Sequence, residues 1–261
     1  MHDILQTIVE QKHKELEFLQ SQYSIADLKQ QKYFQHTCYS AKAALTEKNA
    51  SGIIAEFKRQ SPTKGPINPN ANIKCVVESY QEANASVISV LTDKDFFGAK
   101  DTDFENARAC LTTPLLRKDF LVHPYQVYQS KAMGADLILL IASILTIKEV
   151  VSMSQLAKEL GMEVLLEIHD ESELNHINPH IDLVGVNNRN LKDFSVDLYH
   201  SVNLSEQIPS EFIKVAESGI SGKDDIHYLK NNGFQAFLIG EYLMKQKNPG
   251  QACRLLINRI S

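Results

Sequence analysis

The chain changes character at Gly52. Before it, apolar residues recur at helical spacing: Ile4, Leu5, Ile8 and Val9, then Leu16 and Leu19 among Gln, Lys and Glu. That spacing puts them on one side of a 3.6-residue helix. A second amphipathic stretch covers residues 33–45, and neither Gly nor Pro interrupts the first fifty residues. A helical extension, residues 1–50, packed on the body that follows is the expectation, not a linker. After Gly52, short β-branched apolar runs alternate with longer helical patterns. The runs 53–57, 86–91, 114–117, 136–141, 163–168, 183–186, 213–216 and 236–239 predict eight strands. Continuous apolar runs suit strands covered on both faces, as in a parallel sheet under helices. Eight strand-then-helix units favour a closed (β/α)8 TIM barrel over residues 51–261, in an α/β chain treated as a single domain, rather than an open doubly wound sheet. No GxGxxG follows the first run, so a dinucleotide fold has no positive support.

Polar residues gather where these runs end: Glu56 and Lys58; Arg117, Lys118 and Asp119; Glu167 and His169; Asn187, Asn188 and Arg189; Glu217, Ser218 and Gly219; Gly240 and Glu241. In a barrel they emerge on one rim, the face where such folds carry their chemistry. Charges buried there must pair, meet water or meet a ligand. Alternation along the first strand turns Ala55 and Phe57 toward the helices and Glu56 and Lys58 into the mouth. A purely structural Glu56–Lys58 ion pair is the plain alternative. For Lys118, desolvation near other cations predicts a lowered pKa and a role as general acid or Schiff-base amine, against a rim lysine paired with Asp119. Glu167, after three apolar residues, is expected to have a raised pKa and the opposite proton-transfer role. Ser218-Gly219 and Gly240-Glu241 follow strands seven and eight, where barrels often bind phosphate on backbone N–H groups. Either pair alone is equally an ordinary turn. The loop 61–65, with Ser61, Thr63 and Lys64, offers more anion donors. His169 beside Asp170 reads as a helix-capping turn, and Met133, Met153 and Met162 as packing residues.

Charge and cysteine usage narrow the options. A formal charge of -5 over 261 residues, without charge blocks, argues against a nucleic-acid surface and leaves anion binding to a local cluster. Cys38, Cys75, Cys110 and Cys253 form no CxxC pair and the histidines lack ligand spacing, so neither a disulfide framework nor a metal site is expected. The opening residues lack the apolar core of a signal peptide. The longest apolar stretch, 137–145, is shorter than the about 20 residues needed to span a bilayer. A cytoplasmic monomer without membrane contact is the expectation.

Seven stretches in order resemble the indole-3-glycerol phosphate synthase family from about residue 52 to 245: IIAEFKRQSPTKG, SVLTDKDFFG, LLRKDFLVHPYQVYQSKAMGADLILLI, LLEIHD, VGVNNRNL, VAESGI and FLIGEYLM. The resemblance implies a monofunctional barrel enzyme whose N-terminal helices cover the mouth. It would convert 1-(2-carboxyphenylamino)-1-deoxyribulose 5-phosphate to indole-3-glycerol phosphate with loss of carbon dioxide and water, without metal or organic cofactor. Residue by residue, Lys118 matches the general acid of ring closure, and Glu167 a base or a carboxylate stabilising the cationic intermediate. Lys58 matches a lysine that contacts the substrate carboxylate and serves in dehydration. Glu56 would orient the lysines, Asn187 would hold a hydroxyl, and Arg189 and Glu217 match further polar positions. Phosphate falls to Ser61, Ser218, Gly219, Gly240 and the backbone of Glu241. Phe97 and Phe120 are candidate walls of an anthranilate pocket, with core packing the alternative. Two positions depart from the family's pattern: Ala99 in a loop that helps gate the site, and Phe57 where an aliphatic residue is usual. The rivals are another phosphate-binding barrel, such as a phosphoribosylanthranilate isomerase or a Schiff-base aldolase, and a silent barrel that binds a phosphorylated metabolite or a protein. Retention of Glu56, Lys58, Lys118, Glu167 and Asn187 together weighs against the silent barrel.

Overall fold

The computed structural model describes residues 4–62, 64–189 and 195–260. Among them eight parallel strands close into a barrel: β1 (Ile53–Phe57), β2 (Val87–Leu91), β3 (Leu115–Lys118), β4 (Leu137–Ile141), β5 (Glu163–Ile168), β6 (Leu183–Asn187), β7 (Ile213–Glu217) and β8 (Ala236–Ile239). Each pairs with the next, and β8 pairs back onto β1 with Ile54 opposite Leu238. Before the barrel come α1 (Ile4–Gln22), α2 (Ile25–Lys29) and α3 (Ala41–Thr46). Around it lie α4 (Ile73–Glu82), α5 (Asp103–Arg108), α6 (Pro124–Met133), α7 (Ile147–Glu159), α8 (Leu198–Ser205), α9 (Lys223–Asn231), α10 (Glu241–Met244) and α11 (Pro249–Ile260).

The period-two pattern sorts the barrel residues into two cores. Ile53, Ala55 and Phe57 face outward and pack with helix residues such as Val77 and Tyr80. Ile54, Val87, Leu116, Leu139, Leu165, Leu183, Val215 and Leu238 fill the interior. Local signals start the helices where the sequence places them. Thr146 and Glu149 form a reciprocal capping box at α7, while His123 and Gln126 do so at α6, with Pro124 in its first turn and Gly134 ending it at φ 87°. Those bonds satisfy donors that a helix end leaves free.

Two expectations about helices need correction. The stretch 33–45 is not one helix; only α3 forms, and residues 36–40 run between turns. Buried Asp136, just before β4, accepts the Tyr39 N–H at 2.8 Å, and Lys131 Nζ donates to the His36 carbonyl at 2.7 Å. These distant partners claim backbone groups that a helix would need. Ser40 then caps α3 and also donates to Glu163, while Ala41 and Leu45 enter the inner core and plug the barrel's N-terminal end. The link from β5 to β6 carries a 3₁₀ helix, Glu171–His176, in place of an α-helix. There the Asp170 side chain accepts the Ser172 N–H at 2.9 Å and Glu173 folds back onto the His169 N–H at 2.6 Å. At the opposite end, α1 lies across the mouth, with Ile4, Leu5 and Ile8 lining the pocket described next. Among the described residues no helix is long and apolar enough to cross a membrane.

Candidate active site

The inward rows of the strands change from apolar to polar one layer below the C-terminal rim. Ile54 gives way to Glu56 and Lys58, Leu116 to Lys118, Leu165 to Glu167, Gly185 to Asn187, and Val215 to Glu217. All six of these polar side chains line one pocket, together with Ser61, Phe97, Phe120, Arg189, Ser218, Gly219, Gly240 and Glu241. The fourteen positions singled out from the sequence thus meet, although they span nearly the whole barrel.

Lys118 is the hub. Its Nζ lies 3.1 Å from Glu167 Oε2 and 3.3 Å from Glu217 Oε2. Burial opposes its charge, but Glu167, Glu217 and Glu56 outweigh that and hold its pKa above the ordinary lysine value. The expected lowering is therefore overturned, because the groups around the amine are anions instead of cations. The alternative pairing with Asp119 is also absent. Asp119, also at the pocket wall, is held instead by Arg117 at 2.9 Å, Lys12 at 3.1 Å and Thr92 at 2.5 Å.

The two carboxyl groups beside Lys118 part company. Burial works to raise Glu167, yet Lys118, His169 and the Asn187 amide, 3.0 Å from its Oε1, pull it below the ordinary value. This reverses the expectation of a raised pKa for Glu167. Burial raises Glu217, and the attraction of Lys118 does not offset burial plus repulsion by Glu167. Glu217 Oε1 has no hydrogen-bond partner among the described residues, so its ionised form lacks the help that Glu167 receives. Within one contact the mouth thus joins an amine held toward its charged form, a carboxyl group with a lowered pKa and one with a raised pKa. Across it, Lys58 Nζ lies 2.6 Å from Glu56 Oε1, so the ion pair read from the sequence forms and also lines the pocket.

Two glycines make room for these carboxyls. A Cβ on Gly185 would stand 2.2 Å from Glu217 Oε1, and one on Gly240 would stand 2.1 Å from Glu56 Oε1. Ser218 and Gly219 take φ values of 66° and 71° in succession, a turn that Asn188 braces by donating from its amide to the Ser218 carbonyl at 2.7 Å. Glu241 keeps its carboxylate on Lys245 and, at 3.6 Å, on Arg189. Thr63 and the motif positions Asn190 and Leu191 lie outside the described residues.

A sequence model of the family described as indole-3-glycerol phosphate synthase matches residues 5–256. The chain belongs to that family. The indole-3-glycerol phosphate synthase of Bacteroides thetaiotaomicron is 43% identical over 260 residues, 100% of each chain. That of Chromobacterium violaceum is 41% identical over 256 residues, 97% of each. Among solved structures, the tryptophan synthase α subunit of Legionella pneumophila aligns at a TM-score of 0.60 and 14% identity, covering 84% of this chain and 96% of that one. The 3-hexulose-6-phosphate synthase of Salmonella typhimurium aligns at 0.58 and 10%, covering 80% and 97%. At such identities the likeness is one of fold, the (β/α)8 barrel. The indole-3-glycerol phosphate synthase family comprises carboxy-lyases of tryptophan biosynthesis.

Further residues line the mouth besides the polar strand ends. Leu139 and Ile141 of β4 form part of the pocket wall; their apolar type hid them among core positions. The Phe97 and Phe120 rings stand 6.1 Å apart, centroid to centroid, beside that wall. Asp93 follows β2 as a polar strand end like the others, and is fully buried. His169, read as part of a capping turn, does precede the capping residue Asp170, but its ring is also wedged 3.6 Å from Glu167 and 3.7 Å from Glu173. The departure at Phe57 is harmless to the mouth, since that ring is buried on the helix side under Arg59.

Proposed function

We propose that this pocket closes the indole ring of 1-(2-carboxyphenylamino)-1-deoxyribulose 5-phosphate, giving indole-3-glycerol phosphate, carbon dioxide and water. The observation that carries the reading is the Lys118 amine held within 3.3 Å of both Glu167 and Glu217, a setting that keeps it charged. An amine kept as ammonium is an acid, not a nucleophile, which favours this reaction over a Schiff-base aldolase.

Lys118 gives a proton to the ketone oxygen as the ring carbon bearing the carboxylate attacks the ketone carbon. The new C–C bond leaves a cation on the aniline nitrogen and ring, which ionised Glu167 stabilises. Loss of carbon dioxide returns its bonding pair to the ring and leaves a neutral hydroxyindoline. Lys58, which also contacts the substrate carboxylate, then protonates the hydroxyl. Water leaves, and Glu167 removes the proton from the adjacent CH₂ carbon to complete the indole. The proton on Glu167 passes back to one lysine, and one solvent proton per turnover restores the other. Glu56 orients Lys58, Asn187 holds a ribulosyl hydroxyl and fixes Glu167, and Arg189 and Glu217 complete the polar lining.

Phosphate sits against Ser61, Ser218, Gly219, Gly240 and the Glu241 N–H, with the consecutive positive φ values of Ser218 and Gly219 forming the kind of turn that suits an anion. Phe97 and Phe120 cover the aryl ring. The reaction requires no metal or organic cofactor. On this reading residues 1–261 form one domain and the enzyme is a cytoplasmic monomer. Indole fluorescence, followed as the purified protein meets the substrate, should rise. A folded protein that binds this substrate and releases no indole product would overturn the reading.

A further inference from the structure

Three parts of the mouth meet at one buried amine that the chemistry above does not use. Lys12, on α1, is 3% exposed. Its Nζ lies 2.8 Å from Asp93 Oδ2, 3.1 Å from Asp119 Oδ1 and 2.9 Å from Glu15 Oε2. Asp93 follows β2, and its Oδ1 accepts the Phe96 N–H at 2.8 Å, folding the segment that presents Phe97. Its Oδ2 has no hydrogen bond elsewhere among the described residues. Asp119 stands between Lys118 and Phe120 and accepts the Phe120 N–H at 2.9 Å. One turn or more before Lys12, the same helix lays Ile4, Leu5 and Ile8 on the pocket.

The electrostatics make this a firm junction. Burial disfavours the charge on Lys12, but Asp119 and Asp93 more than compensate and keep it protonated. In turn, Lys12 and Arg117 keep Asp119 ionised against its own burial. A pair of this kind is strongly disrupted when one partner is removed, because the other is left as an uncompensated buried charge. Surface pairs elsewhere on α1 would not have that effect.

We propose that Lys12 is a positioning residue for the reaction: by tying α1 to the segments after β2 and β3, it holds Ile4, Leu5 and Ile8 against Phe97 and Phe120 as one closed apolar wall. The wall lies across the mouth from the phosphate turns after β7 and β8. The inference rests on the proposed function in assigning the aryl end of the substrate to this wall and the phosphate to those turns.

Lys12→Met removes the charge and keeps the stem, and Lys12→Arg keeps the charge. In Lys12→Met, KM for the carboxyphenylamino substrate should rise about tenfold or more, while competitive inhibition by inorganic phosphate stays within about twofold of wild type. Hydrogen exchange at α1 amides should quicken about tenfold or more while barrel-strand amides keep their protection. Lys12→Arg should recover most of the KM. Ile8→Ala should cost less in the Lys12→Met background than in wild type, since a wall already detached has less to lose. Should Lys12→Met not fold, Asp93→Asn, which keeps the Phe96 bond, serves with the same readouts. An unchanged KM, unchanged α1 exchange, or an equal loss of phosphate affinity would each overturn the proposal. Failure of wild type to turn over the substrate would instead count against the proposed function, and the exchange measurement would still decide on Lys12.

Discussion

Lys118 contacts two carboxyl groups of the same chemistry, and what surrounds each decides which carries the charge. Glu167 has the Asn187 amide and the His169 ring beside it, while Glu217 Oε1 has no hydrogen-bond partner among the described residues. With Glu167 lowered and Glu217 raised, glutamine imitates the resting form of Glu217 but not that of Glu167. Glu167→Gln should therefore lower kcat by about 10²–10⁴-fold, and Lys118→Ala by a similar factor, the range for loss of a general acid or base. In both, KM should move far less. Glu217→Gln should lower kcat by less than about tenfold, because the raised pKa of Glu217 favours its neutral form, which glutamine imitates. Steady-state kinetics on the three variants decide the matter: comparable losses in the two glutamine variants would contradict the charge assignment. None of this was legible in the chain itself. Strand ends identify which residues converge, but the direction of each pKa depends on partners tens of residues away, and Lys118 was expected to meet cations where it meets anions.

Elements were far more legible than charges. The observed strands differ from the expected runs by a residue at a few ends, since buried β-branched runs bounded by polar residues leave little freedom in where a strand begins or stops. Helices fared worse where side chains from elsewhere compete for the backbone, as Asp136 and Lys131 do at residues 36–40. The glycines of β6 and of the turn after β8 belong to this scale too. They look like turn or strand interruptions in the sequence, but Gly185 and Gly240 clear space for Glu217 and Glu56. Gly185→Ala and Gly240→Ala should each destabilise the fold by about 1–3 kcal/mol through overpacking, and each should also lower kcat. Gly161→Ala is the control: its Cβ would meet nothing within 4 Å, though its φ is 78°, so it should cost about 1 kcal/mol of backbone strain and leave kcat unchanged. Denaturant titrations paired with kinetics separate these outcomes. Gly185→Ala with normal kcat would show that the Glu217 carboxyl can move aside without consequence.

Over the whole molecule, the buried mouth ties catalysis to stability, because folding must desolvate the charges that the reaction needs. Asp119 and Glu167 have pKa values below their unfolded ones. Their contribution to stability is present above the unfolded value of about 4 and is lost as pH falls through the folded values. Glu217 runs the other way. Its folded pKa is raised, so its contribution is fully present only below about pH 4 and is lost as pH rises through the elevated folded value, where burial resists its ionisation. Glutamine at this position never ionises. The melting temperature of Glu217→Gln relative to wild type should therefore climb from pH 5 and level off above the folded value of about 8, with each kcal/mol of relative gain read as roughly 2–4 °C in a chain of this size. On the alkaline side of that comparison the carboxylates with lowered pKa values have finished titrating and Lys12 and Lys118 remain protonated above the usual lysine range, while His169, whose pKa is raised against its burial by Glu173, Glu167 and Glu217, titrates beside Glu217. A difference that stays flat or shrinks with rising pH would place the buried proton on Glu167 instead, and with it the role of neutral partner to Lys118.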